Sequence, residues 1–139
     1  MLKFRRARLD SALDRERLLR LQYQLFPSDV IKDFYEGTET PEWWLVLHDD
    51  EAVAFASMGY EKEGESILSR CGVVEEFRGR GIQRRLIRAR IKRAITRGVK
   101  AITTYTARWN KHSSENLASL GFVKVRTKGG FHDWRLELP

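Results

Sequence analysis

The chain has one cysteine, three prolines and three histidines in 139 residues, and no apolar run approaches the ~20 residues of a membrane-spanning helix. Each scarcity removes a class of protein. The lone Cys71 excludes an internal disulfide, and His48, His112 and His132 lie too far apart for Cys/His metal spacing, so no structural metal is expected. Met1 to Asp10 alternates apolar and basic side chains and lacks the apolar stretch and small-residue cleavage site of a secretory leader. A first strand and a reducing, cytoplasmic setting are the expectations. Repeats, low-complexity tracts and linkers are also lacking. The length suits one core, so residues 1–139 are read as a single domain.

What the chain does have is charge, in a skewed distribution. The net charge is +7, with 42% hydrophobic and 32% charged residues, a soluble globular balance. Between Arg78 and Lys100 stand ten basic residues and no acidic one. The acids gather earlier, among them Asp33, Glu36, Glu39, Glu42, Asp49, Asp50, Glu51, Glu61, Glu63 and Glu65. The domain is therefore expected to be polarised, and its basic half to attract a phosphorylated ligand, nucleic acid or an anionic surface.

Periodicity gives the element order. Asp10-Ser11 can cap a helix carrying Leu13, Leu18, Leu19 and Tyr23 and ending before Pro27, and Pro27-Ser28-Asp29 opens a second short helix to about Tyr35. Gly37 to Pro41 reads as a loop. Glu42–His48 and Ala52–Tyr60 are strands turned at Asp49-Asp50, and Ser66–Val74 is a third after a turn at Gly64. Ile82, Leu86, Ile87, Ile91, Ala94 and Ile95 then recur at helical spacing up to Gly98. Ala101–Thr106 follows as a strand, parallel to the preceding one because a helix intervenes. A short helix from about Ser113 to Leu120 and a hairpin of Phe122–Arg126 with Phe131–Leu138 around Gly129-Gly130 close the chain. The fold class is α/β, a mixed sheet with about four helices on its faces. Trp43, Trp44, Trp109 and Trp134 are expected to pack in the core or on the sheet rather than to form a substrate cage. Cys71 is expected to be buried and not nucleophilic.

The most informative stretch is Cys71 to Leu86, where a strand passes through Arg78-Gly79-Arg80-Gly81 directly into a helix. Glycines there allow a ligand to approach the backbone, and a helix start offers unpaired N–H groups with a partial positive charge, a natural seat for a diphosphate. Arg78, Arg80, Arg84 and Arg85 add charge nearby. The third glycine of a dinucleotide fingerprint and the Gly-Lys-Ser/Thr of a P-loop are both missing, which leaves a phosphate-binding turn or a tight turn with a solvated arginine helix.

Arg78-Gly79-Arg80-Gly81-Ile82-Gln83 resembles the Q/R-x-x-G-x-G/A turn of the GNAT acetyltransferases. Asn110 to Phe122, a short segment ending in Leu-Gly-Phe, resembles that family's Asn-containing helix, one helix and one strand later. The resemblance in element order runs from about Leu2 to Leu138. It implies a GNAT fold with splayed parallel strands and an acetyltransferase that moves an acyl group from acetyl-CoA to an amine by direct transfer in a ternary complex. It further implies backbone contacts from Val73, Val74 and Glu75 to the pantetheine amides and thioester. The diphosphate would lie on Gly79, Arg80, Gly81, Ile82, Gln83 and Arg84, with Arg78 and Arg85 near, and Asn110 and Ser113 beside the pantetheine. Two positions depart from the pattern. Gln83 stands where the family has Gly or Ala, so its side chain must point away from the phosphates. Leu117 stands where many members carry a tyrosine that protonates the departing thiolate.

Transfer to an amine needs an uncharged nucleophile, hence a base. Glu65, at the start of the strand leading to Val73, is the candidate base by position and by analogy with members that use a strand glutamate; a solvated turn residue is the other reading. The acceptor is unidentified, a small molecule or a protein. Asp33, Glu36, Glu39 and Glu42 could attract a cationic one or be merely solvated. The family often dimerises, so a homodimer is admissible, and no membrane partner is expected. Two other readings stand beside the enzyme: a catalytically silent CoA-binding or interaction domain, and a basic nucleic-acid-binding module, the latter opposed by the lack of any RNA- or DNA-reading motif.

Overall fold

The computed structural model of the chain describes residues 1–34, 39–62 and 64–139. The elements are β1 (Leu2–Arg6), α1 (Ala12–Leu25), β2 (Glu39–His48), β3 (Glu51–Lys62), β4 (Glu65–Val73), α2 (Ile82–Thr96), β5 (Ala101–Ala107), α3 (Lys111–Ser119), β6 (Val123–Lys128) and β7 (Phe131–Glu137). A 3-10 turn at Glu75–Phe77 joins β4 to the glycine turn. The seven strands form one sheet in the order β1-β2-β3-β4-β5-β7-β6. Every neighbouring pair is antiparallel except β4 and β5, the two strands separated by α2. Asp49 and Asp50 both adopt positive φ, 50° and 68°, as a two-residue hairpin turn with the twist of its strands demands. Among the described residues no helix is long and apolar enough to cross a membrane.

The helices take opposite faces. A side chain at Gly72 of β4 would run into Leu25 and Phe26 at the end of α1, while its neighbour Cys71 lies beside Arg90 of α2. Successive strand residues point to opposite faces, so α1 and α2 sandwich β4. Leu18 and Leu21 of α1, Trp43, Leu45 and Phe55 of β2 and β3, and Ile82, Leu86 and Ile87 of α2 are buried in the core. Leu13 and Tyr23 are exposed, so the inward face of α1 is drawn by Leu18, Leu21 and Gln22 and not by the apolar spacing alone.

The second short helix is not formed: residues 27–34 are turns, bends and irregular backbone, and Tyr35 lies outside the described residues. Its backbone is satisfied by side chains instead. Gln22 accepts from the Ile31 N–H and donates to the Ile31 carbonyl, both at 3.0 Å, Arg70 Nη1 donates to the Asp29 carbonyl while Nη2 pairs with its carboxylate at 2.6 Å, and Trp43 Nε1 donates to the Phe34 carbonyl at 3.0 Å. With three α-helices among the described residues, the sheet is covered by one fewer than expected. The expected loop from Gly37 is cut short, because Glu39 to Pro41 already belong to β2; Gly37 itself lies outside the described residues. Trp43, Trp44 and Trp134 are buried as expected, whereas Trp109 is 78% exposed at the corner between β5 and α3.

Two acidic residues tie the sheet to the helices. Asp14 in the first turn of α1, capped by Ser11, is 2% exposed and receives Arg5 of β1 at 2.7 and 2.8 Å, the Arg8 N–H at 2.8 Å and Arg17 at 3.1 Å. The Arg5 hydrogen bonds hold its carboxyl well below the usual range against the opposing effect of burial, with help from Arg8 and Arg17. Glu42 of β2 collects Arg6 at 3.0 Å, Arg93 at 2.8 Å, Arg97 at 3.8 Å and the Tyr60 hydroxyl. Burial would raise the Glu42 pKa, but Arg93, Tyr60 and Arg97 together outweigh it and lower it, while burial and Glu42 push the Tyr60 phenol up to about 12.

Because the folded pKa of Asp14 is depressed, its stabilisation is complete above the unfolded carboxylate value near ~4 and fades as pH falls below it. Asp14→Asn is expected to cost roughly 3 kcal/mol in urea unfolding at pH 7, by leaving the buried end of the Arg5 pair unmatched, and to flatten the acid limb of the stability profile. Unchanged stability with an unchanged acid limb would show that the cluster contributes nothing.

Candidate active site

The site begins where two strands part. β4 and β5 pair only at Glu65 with Ala101, Ser66 with Ile102 and Ile67 with Thr103. Beyond these residues β4 stays with β3 up to Val73 while β5 follows β7 to Ala107 with Phe131, so a gap opens between two strands of one sheet. A bulge in β4 helps it open. Leu68 faces Met58 and Cys71 faces Ala56, which leaves Ser69 and Arg70 opposite the single residue Ser57. The displaced groups are taken up by side chains: the Arg70 N–H donates to Ser57 Oγ at 3.0 Å, and Arg90 Nη1 donates to the Ser57 carbonyl at 3.0 Å.

At the wide end β4 leads through Glu75–Phe77 into the glycine turn. Gly79 and Gly81 have φ of 78° and 75°, in the left-handed region, and a Cβ at either would meet no atom within 4 Å. Their need for glycine is thus set by backbone conformation and by open space that something else can fill. Gly81 is the N-cap of α2, and the first intrahelical bond runs from the Arg85 N–H to the Gly81 carbonyl at 3.1 Å. The N–H groups of Ile82, Gln83 and Arg84 therefore have no helical acceptor and carry the positive end of the helix dipole. The first turn holds no acidic side chain to neutralise it.

A cavity of about 500 Å³ joins these parts, walled by Cys71, Gly72 and Val73 of β4, the glycine turn with Arg78, Ile82, Gln83 and Arg84, and Asn110, His112, Ser113 and Asn116 at the start of α3. Its far wall is Leu25 and Phe26 at the end of α1, so it runs from the helix start through the gap to the opposite face of the sheet. The Val74 N–H bonds to Val53 across the β3 side at 2.9 Å, so by strand alternation the amide and carbonyl of Val73 face the gap. Val74 itself is buried in the core and Glu75 begins the 3-10 turn; neither side chain lines the cavity.

The arginines of the turn are mostly engaged within the protein. Arg78 Nε donates to the Val73 carbonyl at 3.0 Å, and Arg84 Nε to Ser119 Oγ at 3.1 Å; both line the cavity. Arg80 bonds the Glu76 carbonyl at 3.1 Å and lies over the Phe77 ring, outside the lining. Arg85 turns away to cover the Phe4 ring at 3.9 Å, so it is not brought to the site. Gln83 points to α3, donating to Ser113 Oγ at 3.0 Å and accepting from Asn116 Nδ2 at 2.8 Å, which is how its length is accommodated beside the turn. Asn110 caps α3 by accepting from the Ser113 N–H at 3.1 Å.

Two expectations are displaced. Glu65 stands at the opposite end of β4 from Val73, where β4 and β5 are still paired, and Arg135 reaches its carboxylate at 3.4 Å; it does not line the cavity. Glu42 is enclosed by its arginines and offers no free charge to a cationic acceptor. Of the other acids named for that task, Glu36 lies outside the described residues. Arg90, absent from every sequence-based site expectation, is 2% exposed and stands at the gap. The signal was present as a stride of four, Ile82, Leu86, Arg90 and Ala94, all buried, whereas the apolar stripe drawn through Ile91 and Ile95 ends on an Ile95 that is 46% exposed. Leu25, Phe26 and Asn116 were also missed. Cys71, expected to be buried, is partly buried at the gap, and burial pushes its thiol up.

The sequence pattern of the acetyltransferase (GNAT) family matches residues 9–122, and the chain belongs to that family. Among solved structures it is similar to the ribosomal-protein-S18-alanine N-acetyltransferase from Escherichia coli, with 16% identity, 99% of this chain and 94% of that chain covered, and a TM-score of 0.80. It is likewise similar to a Bacillus subtilis acetyltransferase in complex with CoA (17% identity, 100% of both chains, TM-score 0.80) and to Arabidopsis thaliana NAA60 in complex with acetyl-CoA (20%, 97% and 96%, TM-score 0.76). No curated protein matches the chain.

Gly72 is the tightest point of the wall. A Cβ there would stand 2.8 Å from Leu25 Cδ1 and 2.9 Å from Phe55 Cε1. Gly72→Val is expected to destabilise the fold by about 1–3 kcal/mol and to push the end of α1 outward, read as a lower thermal midpoint together with faster amide exchange at Leu25 and Phe26. A variant as stable and as protected as the parent would mean that α1 does not seal the cavity in solution.

Proposed function

We propose that the chain transfers an acyl group from acetyl-CoA to an amine, both bound at once, with the donor held in the gap between β4 and β5. The observation that carries the reading is the joining of that gap to the acid-free start of α2 through one cavity. The diphosphate rests on the N–H groups from Gly79 to Arg84, stabilised by the helix dipole and by Arg78 and Arg84. The pantetheine arm lies along the open edge of β4 and supplies the partner that β5 no longer provides. The Val73 N–H faces it, and the Val73 carbonyl becomes available once Arg78 turns from it toward the phosphates. Solved relatives that contain CoA or acetyl-CoA, those from Bacillus subtilis and Arabidopsis thaliana among them, support the choice of donor.

The acceptor enters from the side of Leu25 and Phe26, opposite the phosphates. Its amine lone pair attacks the thioester carbonyl carbon, the C–S bond breaks, and the electron pair leaves on the CoA sulfur while the amine sheds a proton. Among the described residues no carboxylate lines the cavity, and buried Leu117 supplies no phenol for the thiolate. Rate enhancement then rests on orientation and on the backbone dipole at the carbonyl, and water carries the protons.

Calorimetric titration with acetyl-CoA, and release of free thiol across a panel of amines, test binding and turnover separately. Gly81→Val, which forces a β-branched residue to a φ of 75° and fills the phosphate seat, is expected to weaken acetyl-CoA at least tenfold with the circular dichroism spectrum retained. An unaltered affinity would remove the phosphate from the glycine turn.

A further inference from the structure

A second cavity, of about 140 Å³, lies under the β4 bulge and shares Cys71, Gln83 and Ser113 with the first. Arg90 of α2 forms part of its wall, and its side chain is among the largest fully buried in the protein. A guanidinium has five N–H groups. Nε donates to the Leu86 carbonyl at 3.2 Å and Nη1 to the Ser57 carbonyl at 3.0 Å, and no other described residue hydrogen-bonds it. Nη2 takes no hydrogen-bond partner among the described residues, and Arg90 lines the cavity. Among the described residues the lining contains no aspartate or glutamate. A buried cation with only carbonyl partners is costly, and no described residue offers it a counter-charge.

The position of this cation matters as much as its isolation. Arg90 stands eight residues into α2, ~12 Å along the axis from the phosphate seat, within the span of a pantetheine arm. The cavity lies beside Leu68 and Ser69, where β4 breaks from regular pairing, so it flanks the reacting end of a donor laid along β4. Its volume equals that of roughly four or five waters at ~30 Å³ each, room for a short acyl chain with a terminal anion.

We propose that this cavity receives a carboxylate carried by the acyl group, paired with Arg90, so that a dicarboxylic half-thioester such as malonyl- or succinyl-CoA is preferred over acetyl-CoA. The proposal rests on the reading of the adjoining cavity as the CoA site. The chemistry is otherwise that of acetyl transfer: the acceptor nitrogen bonds to the thioester carbon, the C–S bond breaks, and the distal carboxylate passes unchanged to the product.

Titrating the whole chain calorimetrically with CoA, acetyl-CoA, malonyl-CoA and succinyl-CoA tests it. At least one dicarboxylic ester is expected to bind tenfold or more tightly than acetyl-CoA, the scale of a hydrogen bond to a charged group. In Arg90→Met that ratio is expected to fall below threefold. Equal affinities for all three esters in the unaltered protein overturn the proposal without any variant, so it does not depend on Arg90→Met folding. A preference that survives Arg90→Met overturns it too. CoA esters that bind equally leave the CoA site standing, whereas failure of CoA itself to bind removes that site and the proposal with it.

Discussion

Backbone hydrogen bonding inside the sheet is the constraint on which the rest depends. A strand in the middle of a seven-stranded sheet should have both edges paired, and β4 has one edge unpaired from Leu68 onward. Unpaired amides cost free energy unless water or a ligand meets them. The protein sustains the opening by local substitutes: Ser57 Oγ for the Arg70 amide, Arg90 for the Ser57 carbonyl, Thr104 Oγ1 for the Leu68 carbonyl at 3.0 Å and Arg78 for the Val73 carbonyl. The gap is therefore built into the packing of α2 and β5.

The arginine-rich helix shows how a charge pattern is divided once folded. Arg93 and Arg97 serve Glu42, Arg85 covers Phe4, Arg84 holds Ser119 and Arg90 is buried. Few of these cations are left for an extended anionic surface. The helix contributes to phosphate binding through its start, where backbone and not side chains provides the field.

Much of this was legible in the sequence for physical reasons. The strand-glycine-helix junction at Cys71 to Leu86 is a local signal, and periodicity located β4, α2, β5 and α3 within a few residues of their ends. The short helix after Pro27 was not legible as absent, because what replaces it is long-range: Gln22, Arg70 and Trp43 capture that backbone from elements distant in the chain. The same applies to Glu65, whose place at the start of β4 looks suitable until the pairing shows that β4 and β5 are still joined there. Arg90 was hidden by its own chemistry. A hydropathy stripe discards an arginine, although its stem occupies the centre of the buried face.

The cluster around Glu42 has one further consequence. It gathers side chains from β1, β3 and two turns of α2 onto β2, all at the C-terminal half of the helix. The helix is thus clamped twice, by Arg93 and Arg97 to the sheet and by Gln83 and Arg84 to α3. Its start is held like a beam on two supports, so the phosphate seat takes its position from α3 as well as from the sheet.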